Sequence, residues 1–372
     1  MITLLLILCC YVKPNDKIIS IKINGYDRYR PKISFTLLIE RREVDLYLNT
    51  FLPFSIFKFP YSSMKANRIV SKETLHLDES YPSTLYYTDI KINEDTTITN
   101  FSLYNVKPST TMYYKDKGLA LGYHIKDESF SIVHQLYQKN IIDQLQFAFK
   151  NLKGNSHHFF IGGVPNNVYL SFPYKATIKI DETLPTWGFT IDKLLFNGTE
   201  YDIGIPAIIS SASDSLWISD DLYAMFKDTI LKEAIEDKEC RLLYMDENEY
   251  IKCSQSVIAE TYSLIINSNN FTFSTEIFNK NRYGMVKSNK NQHNHKAHNF
   301  TGIIIGPQFL SQFNYSIFDY EKKQIAFYSD TTIITFSSNK FVITKLLLCS
   351  ECTIMLINIC IIIYLNINLK IQ

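Results

Sequence analysis

The sequence lacks an excess of charge of either sign. Its 372 residues contain 38 Lys and Arg against 37 Asp and Glu, a net charge of +1. A nucleic-acid-binding domain carries a basic patch or stripe, so we expect no nucleic-acid partner. The chain is long enough for two domains or one large all-β unit. Nothing in its composition indicates a cofactor, and we expect none.

Cysteine is scarce away from the two ends of the chain. Five of the seven cysteines lie in apolar runs near the termini, and only Cys240 and Cys253 lie between those runs. Two cysteines in a secreted domain most often pair, and the short segment between Cys240 and Cys253 is easily closed by a disulfide. We therefore expect a Cys240–Cys253 disulfide, with two free thiols as the alternative.

The apolar run at the N-terminus is too short to span a membrane. Residues 2–12, ITLLLILCCYV, have the length of a signal-peptide hydrophobic region. No Lys or Arg precedes the run and no small-residue cleavage motif follows it, so cleavage is expected between Val12 and Asp16. Residues 1–15 are assigned to a signal peptide, with a buried first strand as the alternative.

The apolar run near the C-terminus is long enough to cross a bilayer. Residues 352–369 form a stretch of 18 residues without a charge. We predict that residues 341–369 are a transmembrane segment, or a lipid-anchor signal that is removed after attachment. The protein is then expected in the secretory pathway, at the cell surface or another membrane, with its ectodomain extracellular or lumenal.

Sequons for N-glycosylation fit that location. The motif N-x-S/T begins at Asn100, Asn197, Asn270 and Asn299, which are the predicted glycosylation sites. A fifth sequon at Asn314 lies inside an apolar segment and is the least suited to modification.

The pattern of apolar residues is that of an all-β protein. Short alternating or apolar runs recur between Asn, Asp, Pro, Ser and Gly, and the 25 Tyr and 25 Phe favour strands. Helical spacing is present in residues 129–145 and 220–235, and the second helix has Ser219 or Asp220 as its candidate N-cap.

Residues 279–299 have almost no apolar content. This basic stretch, rich in Asn, His and Lys, is predicted to be a polar loop inserted between strands. A metal site at His293, His295 and His298 is an alternative, but no Cys or carboxylate supports these histidines. We therefore expect no metal.

Residues 206–217, PAIISSASDSLW, read as a strand that runs into a tight turn of small residues. The stretch resembles the second active-site motif of pepsin-like aspartic proteases, apolar residues followed by Asp-Ser/Thr-Gly. Aligned without a gap, the catalytic Asp falls on Ser210 and the Gly on Ala212. Residues 45–53, DLYLNTFLP, resemble the first motif, with the Asp on Asn49 and the Gly on Phe51.

Further matches occur in the family's order. Residues 304–310 (IIGPQFL) and 315–328 resemble segments of the second lobe, residues 118–122 (GLALG) resemble their first-lobe equivalent, and residues 159–165 and 187–198 resemble strands near the lobe boundary. The resemblance spans roughly residues 17–330. It implies an all-β, bilobal fold with a central cleft, with lobes at residues 16–175 and 176–335.

The chemistry of the family requires two carboxylates that share one proton. Asn49 cannot ionise as an acid, and the hydroxyl of Ser210 cannot share a proton as a carboxylate does. We therefore expect no catalytic residue, and we interpret Thr50, Phe51, Ser211 and Ala212 as parts of the two cleft turns. The Phe51 ring, at the position of a glycine, is expected to remodel its turn.

The family also carries a glycine-containing hairpin, the flap, over the cleft. Residues 73–87 occupy this place and contain no glycine. Tyr81 is the candidate flap tyrosine.

Three hypotheses about function follow. The first is a membrane-anchored, monomeric pseudoprotease whose cleft binds an extended peptide or a protein loop. The second is a divergent aspartic-type endopeptidase that uses other acids, such as Asp45 or Asp214, and the third is a structural surface protein with a filled cleft. A Ser210 nucleophile with His124, His134, His157 or His158 as base lacks any recognisable sequence context.

Overall fold

The computed structural model describes residues 17–23, 26–27, 30–38, 41–52, 55–57, 68–76, 80–106, 118–123, 130–150, 157–184, 186–196, 199–212, 217–245, 248–253, 261–266, 269–274, 285–287, 302–330 and 334–336. The predicted signal peptide and C-terminal segment lie outside these ranges. Within them, no helix combines the length and the apolar character that crossing a membrane requires.

The described residues are mostly strand, as the alternating pattern predicts. The strands are β1 (Ile19–Lys22), β2 (Tyr26–Asp27), β3 (Arg30–Leu37), β4 (Arg42–Asn49), β5 (Ile56–Phe57), β6 (Arg68–His76), β7 (Ser80–Lys91), β8 (Thr97–Val106), β9 (Leu119–Ala120), β10 (Gln146–Lys150), β11 (His158–Ile161), β12 (Tyr174–Lys179), β13 (Gly188–Phe196), β14 (Thr199–Ile209), β15 (Trp217–Ile218), β16 (Cys240–Met245), β17 (Asn248–Cys253), β18 (Thr261–Ile266), β19 (Asn269–Ser274), β20 (Met285–Lys287), β21 (Ile303–Ile305), β22 (Tyr315–Asp319), β23 (Gln324–Ser329) and β24 (Ile334–Phe336).

Two large sheets form two lobes. The first lobe is an eight-stranded sheet. Six of its strands follow the order β5-β8-β7-β3-β4-β9, and β2 and β6 complete it by pairing with β3 and β7. The second lobe is a ten-stranded sheet with the order β16-β17-β20-β15-β21-β14-β13-β18-β19-β24. The all-β, bilobal fold implied by the resemblance is confirmed.

A six-stranded sheet joins the lobes, with the order β1-β11-β10-β22-β23-β12. Its central pair brings Phe147 opposite Phe318, and the two rings stack with centroids 4.6 Å apart. Trp187 is fully buried edge-on against both rings, at 5.6 Å and 5.0 Å. Large aromatic residues from distant parts of the chain therefore form one core between the lobes.

Helices are short. They are α1 (Ile132–Gln138), α2 (Val168–Ser171), α3 (Asp220–Met225), α4 (Lys232–Glu236) and α5 (Pro307–Leu310), and a π-helical turn (Phe226–Ile230) joins α3 to α4. Helices α1 and α3 begin where a serine, Ser131 or Ser219, accepts a hydrogen bond from the third residue beyond it. The two predicted helices are thus present, and the first is shorter than its periodic stretch.

The polar stretch 279–299, which the sequence predicts to be a loop, contains the strand β20. Val286 of β20 lies opposite Trp217 of β15 and Tyr250 of β17. Met285 and Val286 are a short apolar pair, and this pair adds to the sheet. The three histidines of the stretch lie outside the described residues.

Candidate functional site

Two short parallel strand pairs, one in each lobe, present the two predicted cleft turns. β4 pairs with β9, so that Asn49 lies opposite Ala120, and β14 pairs with β21, so that Ile209 lies opposite Ile305. The turns continue these pairings, because Asn49 O accepts from Leu121 N and Ser210 N donates to Ile305 O, both at 2.9 Å. Parallel strands are normally buried on both faces, which explains the apolar runs before Asn49 and Ser210.

The two turns are cross-linked by reciprocal hydrogen bonds. Thr50 Oγ1 donates to Ile209 O at 2.8 Å and accepts from Ser211 N at 2.9 Å. Ser211 Oγ donates to Leu48 O at 2.6 Å and accepts from Thr50 N at 3.0 Å. Each hydroxyl thus bonds to the backbone of the opposite lobe on both sides of the turn, and both side chains are fully buried.

The first turn is also closed by its own side chain. Asn49 Oδ1 accepts from Phe51 N at 2.9 Å, an Asx turn. The Phe51 backbone stays outside the left-handed region, and its side chain is only half-buried. The turn closes tightly and keeps its contacts with the opposite lobe, although the sequence predicts remodelling by the ring.

Gly118 allows the close approach on which the first turn depends. Its φ is +142°, and an added Cβ would lie 2.5 Å from Tyr47 O. A side chain here would push β9 away from β4. The matched motif at residues 118–122 therefore requires glycine at position 118 because no side chain fits beside β4.

A third segment reaches the turns from the start of β13. Thr186 Oγ1 donates to Thr50 O and accepts from Tyr123 N. Trp187 Nε1 donates to Leu121 O at 2.6 Å, and Tyr320 Oη donates to the same oxygen at 2.9 Å. The carbonyls around the first turn are therefore held by side chains from distant parts of the fold.

The chemistry available at the turns is neutral. Residues 49–51 and 210–212 carry amide, hydroxyl and apolar side chains, and no ionisable group. Asn49 is 0% exposed and Ser210 5%. Asp45 is exposed on β4, opposite Ser34 and away from the turn, whereas Asp214 lies outside the described residues.

The histidines considered as a base have other contacts. His134 Nδ1 lies 2.7 Å from Ser131 Oγ, and its ring meets Tyr320 edge-on at 4.7 Å. Burial lowers the pKa of His134 to about 4. His158 Nδ1 lies 3.2 Å from Ser20 Oγ, and His124 lies outside the described residues. Among the described residues, no three His, Cys, Asp or Glu side chains cluster so that they could hold a metal ion.

The candidate flap is a β-hairpin. β6 and β7 pair antiparallel, and Tyr81 stands opposite Leu75, one pair before the end at His76 and Ser80. Tyr81 is therefore close to the tip of the hairpin in sequence register. Its role as a flap residue stays a prediction.

This architecture is the pepsin-like aspartic protease fold. It has two β lobes, a six-stranded sheet that joins them, and paired turns at the ends of parallel strands. A family description, eukaryotic aspartyl protease, matches residues 64–329. The chain belongs to this family. The matched range begins after the Asn49 turn, so it includes the second turn and leaves out the first.

Solved structures agree on the fold. The aspartic proteinase from Irpex lacteus superposes with a TM-score of 0.63 at 12% identity, covering 85% of this chain and 99% of that one. Basic 7S globulin from soybean gives 0.64 at 11% identity, covering 86% and 96%. No curated protein sequence matches the chain.

The motifs identify the turn residues but not the hydrogen bonds that hold them. The reciprocal bonds of Thr50 and Ser211 join residues 161 positions apart and become visible only in the folded protein. The part played by Thr186 has no sequence signature, because its partners Thr50 and Tyr123 are distant in the chain and meet it only in the folded protein.

Proposed function

We propose that this protein is a catalytically inactive member of its family, a monomer whose cleft binds an extended peptide or a protein loop without cutting it. The proposal rests on one observation. The hydrogen-bonded frame of the two turns is complete, but the positions aligned with the acids carry Asn49 and Ser210.

The chemical reason is the loss of the shared proton. Proteolysis in this family needs one ionised carboxylate as a base toward water and one protonated carboxyl to polarise the peptide carbonyl. An amide and a hydroxyl can only donate and accept hydrogen bonds near neutral pH. The pair therefore cannot supply the base and the acid that cleavage requires.

The partial exposure of Phe51 favours a binding cleft over a filled one. A ring that filled the cleft would be enclosed by its neighbours, but the Phe51 side chain is only half-buried. An aromatic side chain that is partly open to solvent and follows the buried turn residues is a suitable anchor for an apolar ligand residue.

The enzyme hypothesis has family membership in its favour. A divergent endopeptidase would need a carboxyl pair about 3 Å apart at the cleft floor. Asp214 is the acid nearest in sequence to Ser210, and its exchange for Asn would abolish any cleavage that depends on it.

The experiment for the proposal is a binding measurement. Purified protein is mixed with a library of extended peptides, and the retained peptides are identified by mass spectrometry and titrated by calorimetry. We expect intact peptides to be retained. Phe51→Ala is expected to weaken binding about tenfold, because it removes a large apolar contact.

Tyr137→Ala is the matched control for that measurement. Tyr137 is also a partly exposed aromatic residue, 38% exposed on α1, but it lies outside both turns. Its exchange is expected to leave affinity unchanged. Absence of any retained peptide, or equal losses in the two variants, would argue against a ligand in the cleft.

We further propose that the protein enters the secretory pathway and is anchored in a membrane through residues 341–369. Two positions in the fold are suited to modifications that occur in the secretory pathway, namely N-glycosylation and disulfide formation. Asn100 is exposed on β8 in the left-handed region, with φ +50°. Cys240 lies directly opposite Cys253 in the β16–β17 register, which suits a cross-strand disulfide.

Peptide mapping of protein isolated from the membranes of a eukaryotic cell that expresses it, without reduction, tests these modifications. We expect a glycan on Asn100 and a linked peptide pair that contains Cys240 and Cys253. Asn314 is the internal comparison. Its side-chain Nδ2 donates to Asp330 Oδ2 and its Oδ1 accepts from Asp330 N, so we expect no glycan on this residue. An unmodified Asn100, or alkylated Cys240 and Cys253, would contradict the proposal.

A further inference from the structure

Thr186 has an unusual backbone for its residue type. Its φ is +60°, in the left-handed region, and the residue is 1% exposed. A β-branched residue rarely adopts this conformation, because its side chain crowds the backbone. Such strain persists only where the surrounding structure over-determines it, and it concentrates at functional places.

The hydroxyl of Thr186 supplies the contacts that hold this conformation. Oγ1 accepts from Tyr123 N at 3.2 Å and donates to Thr50 O. Tyr123 follows β9 and Thr50 follows β4, so both partners belong to the first lobe. Thr186 precedes β13, the strand that leads into the sheet of the second lobe.

The next residue continues the connection into the second turn. Trp187 O accepts from Ile209 N at 3.1 Å, one residue before Ser210. Trp187 Nε1 donates to Leu121 O, and Leu121 N donates to Asn49 O. Two adjacent residues thus touch the backbone beside both cleft turns.

We infer that Thr186 is a positioning residue, a strained latch that ties the first turn to the start of the second lobe. The strained backbone places the hydroxyl between two first-lobe groups, Tyr123 N and Thr50 O. The reciprocal bonds of Thr50 and Ser211 align the two turns with each other. Thr186 holds the first turn in place relative to the start of β13, where the second lobe begins. The latch does not depend on what the cleft binds.

Amide hydrogen exchange resolved to single residues tests the latch without a ligand. Thr186→Val keeps the shape and removes the hydroxyl. It is expected to speed exchange at Tyr123 and Leu121 by about tenfold or more, since a buried donor and acceptor lose their partner. Amides of β7 and β8 should exchange as in the wild type. Thr186→Ser retains the hydroxyl and should restore slow exchange.

Thr183→Val is the matched control. Thr183 Oγ1 also makes a hydrogen bond, to Asp181 at 2.6 Å, but this bond stays within one local turn. Its loss should leave Tyr123 and Leu121 unchanged.

Thr186→Gly removes the hydroxyl and relieves the backbone, so it is expected to fold even if the Val variant does not. The same local increase in exchange supports the latch. Wild-type exchange at Tyr123 in the Gly variant, or an increase spread evenly over β7 and β8, would overturn it.

Discussion

Thr50→Val is expected to lower the free energy of unfolding by about 2–4 kcal/mol, the largest effect we anticipate for a change this small. Valine has nearly the shape of threonine, so packing is preserved. The exchange removes the partner of Ile209 O and of Ser211 N, both at a fully buried position. Each unsatisfied buried group costs about 1–3 kcal/mol. Urea unfolding at neutral pH measures the difference.

Two controls separate the cross-link from general effects of substitution. Thr50→Ser keeps the hydroxyl and should cost less than about 1 kcal/mol, whereas Thr97→Val, at an exposed position of β8, should stay within about 0.5 kcal/mol of the wild type. Thr50→Val and Ser211→Ala should also be non-additive when combined, since the two residues share bonds. A Thr50→Val protein as stable as the wild type would contradict the geometry of the turns.

The buried His134 is expected to make the protein lose stability in acid. Burial lowers its pKa in the folded protein from 6.5 to about 4. Above pH 6.5 both states carry the neutral ring. As the pH falls toward 4, the unfolded chain binds a proton that the folded protein does not, so stability decreases, and below 4 the difference no longer grows. The loss over this window amounts to about 3 kcal/mol.

His134→Gln should remove that part of the pH dependence. The measurement is the free energy of unfolding at pH 7 and pH 4 for the wild type, for His134→Gln and for His157→Gln as a partly exposed comparison. The decrease between the two pH values should shrink by about 3 kcal/mol in His134→Gln only. An equal decrease in all three proteins would show that other groups carry the acid sensitivity.

The strands were largely predictable, because their signals are local, whereas the bilobal arrangement was implied by the resemblance to the family. Strands such as β1, β3 and β4 appear as short alternating or apolar runs bounded by turn residues, and the matched motifs fall on the parallel pairs beside the cleft. Helix α3 begins at a serine that is recognisable as a cap before an acidic first turn. These features depend on neighbouring residues, and one sequence is enough to show them.

The site was predictable only as far as its motifs reach. Asn49 and Ser210 could be placed by alignment, whereas the bonds of Thr186 to Thr50 and Tyr123 join residues far apart in the chain. β20 was missed because only Met285 and Val286 interrupt a polar stretch, and its pairing with β15 and β17 is decided by the sheet. Tertiary context of this kind overrides local composition.

The most direct test of a retired active site is a cleavage assay. Wild-type protein is incubated with a diverse peptide library between about pH 3 and pH 7, the range in which a carboxyl pair would change protonation. Products are followed by mass spectrometry with and without pepstatin. We predict no pepstatin-sensitive cleavage at any pH in that range. Cleavage that pepstatin blocks would contradict the account.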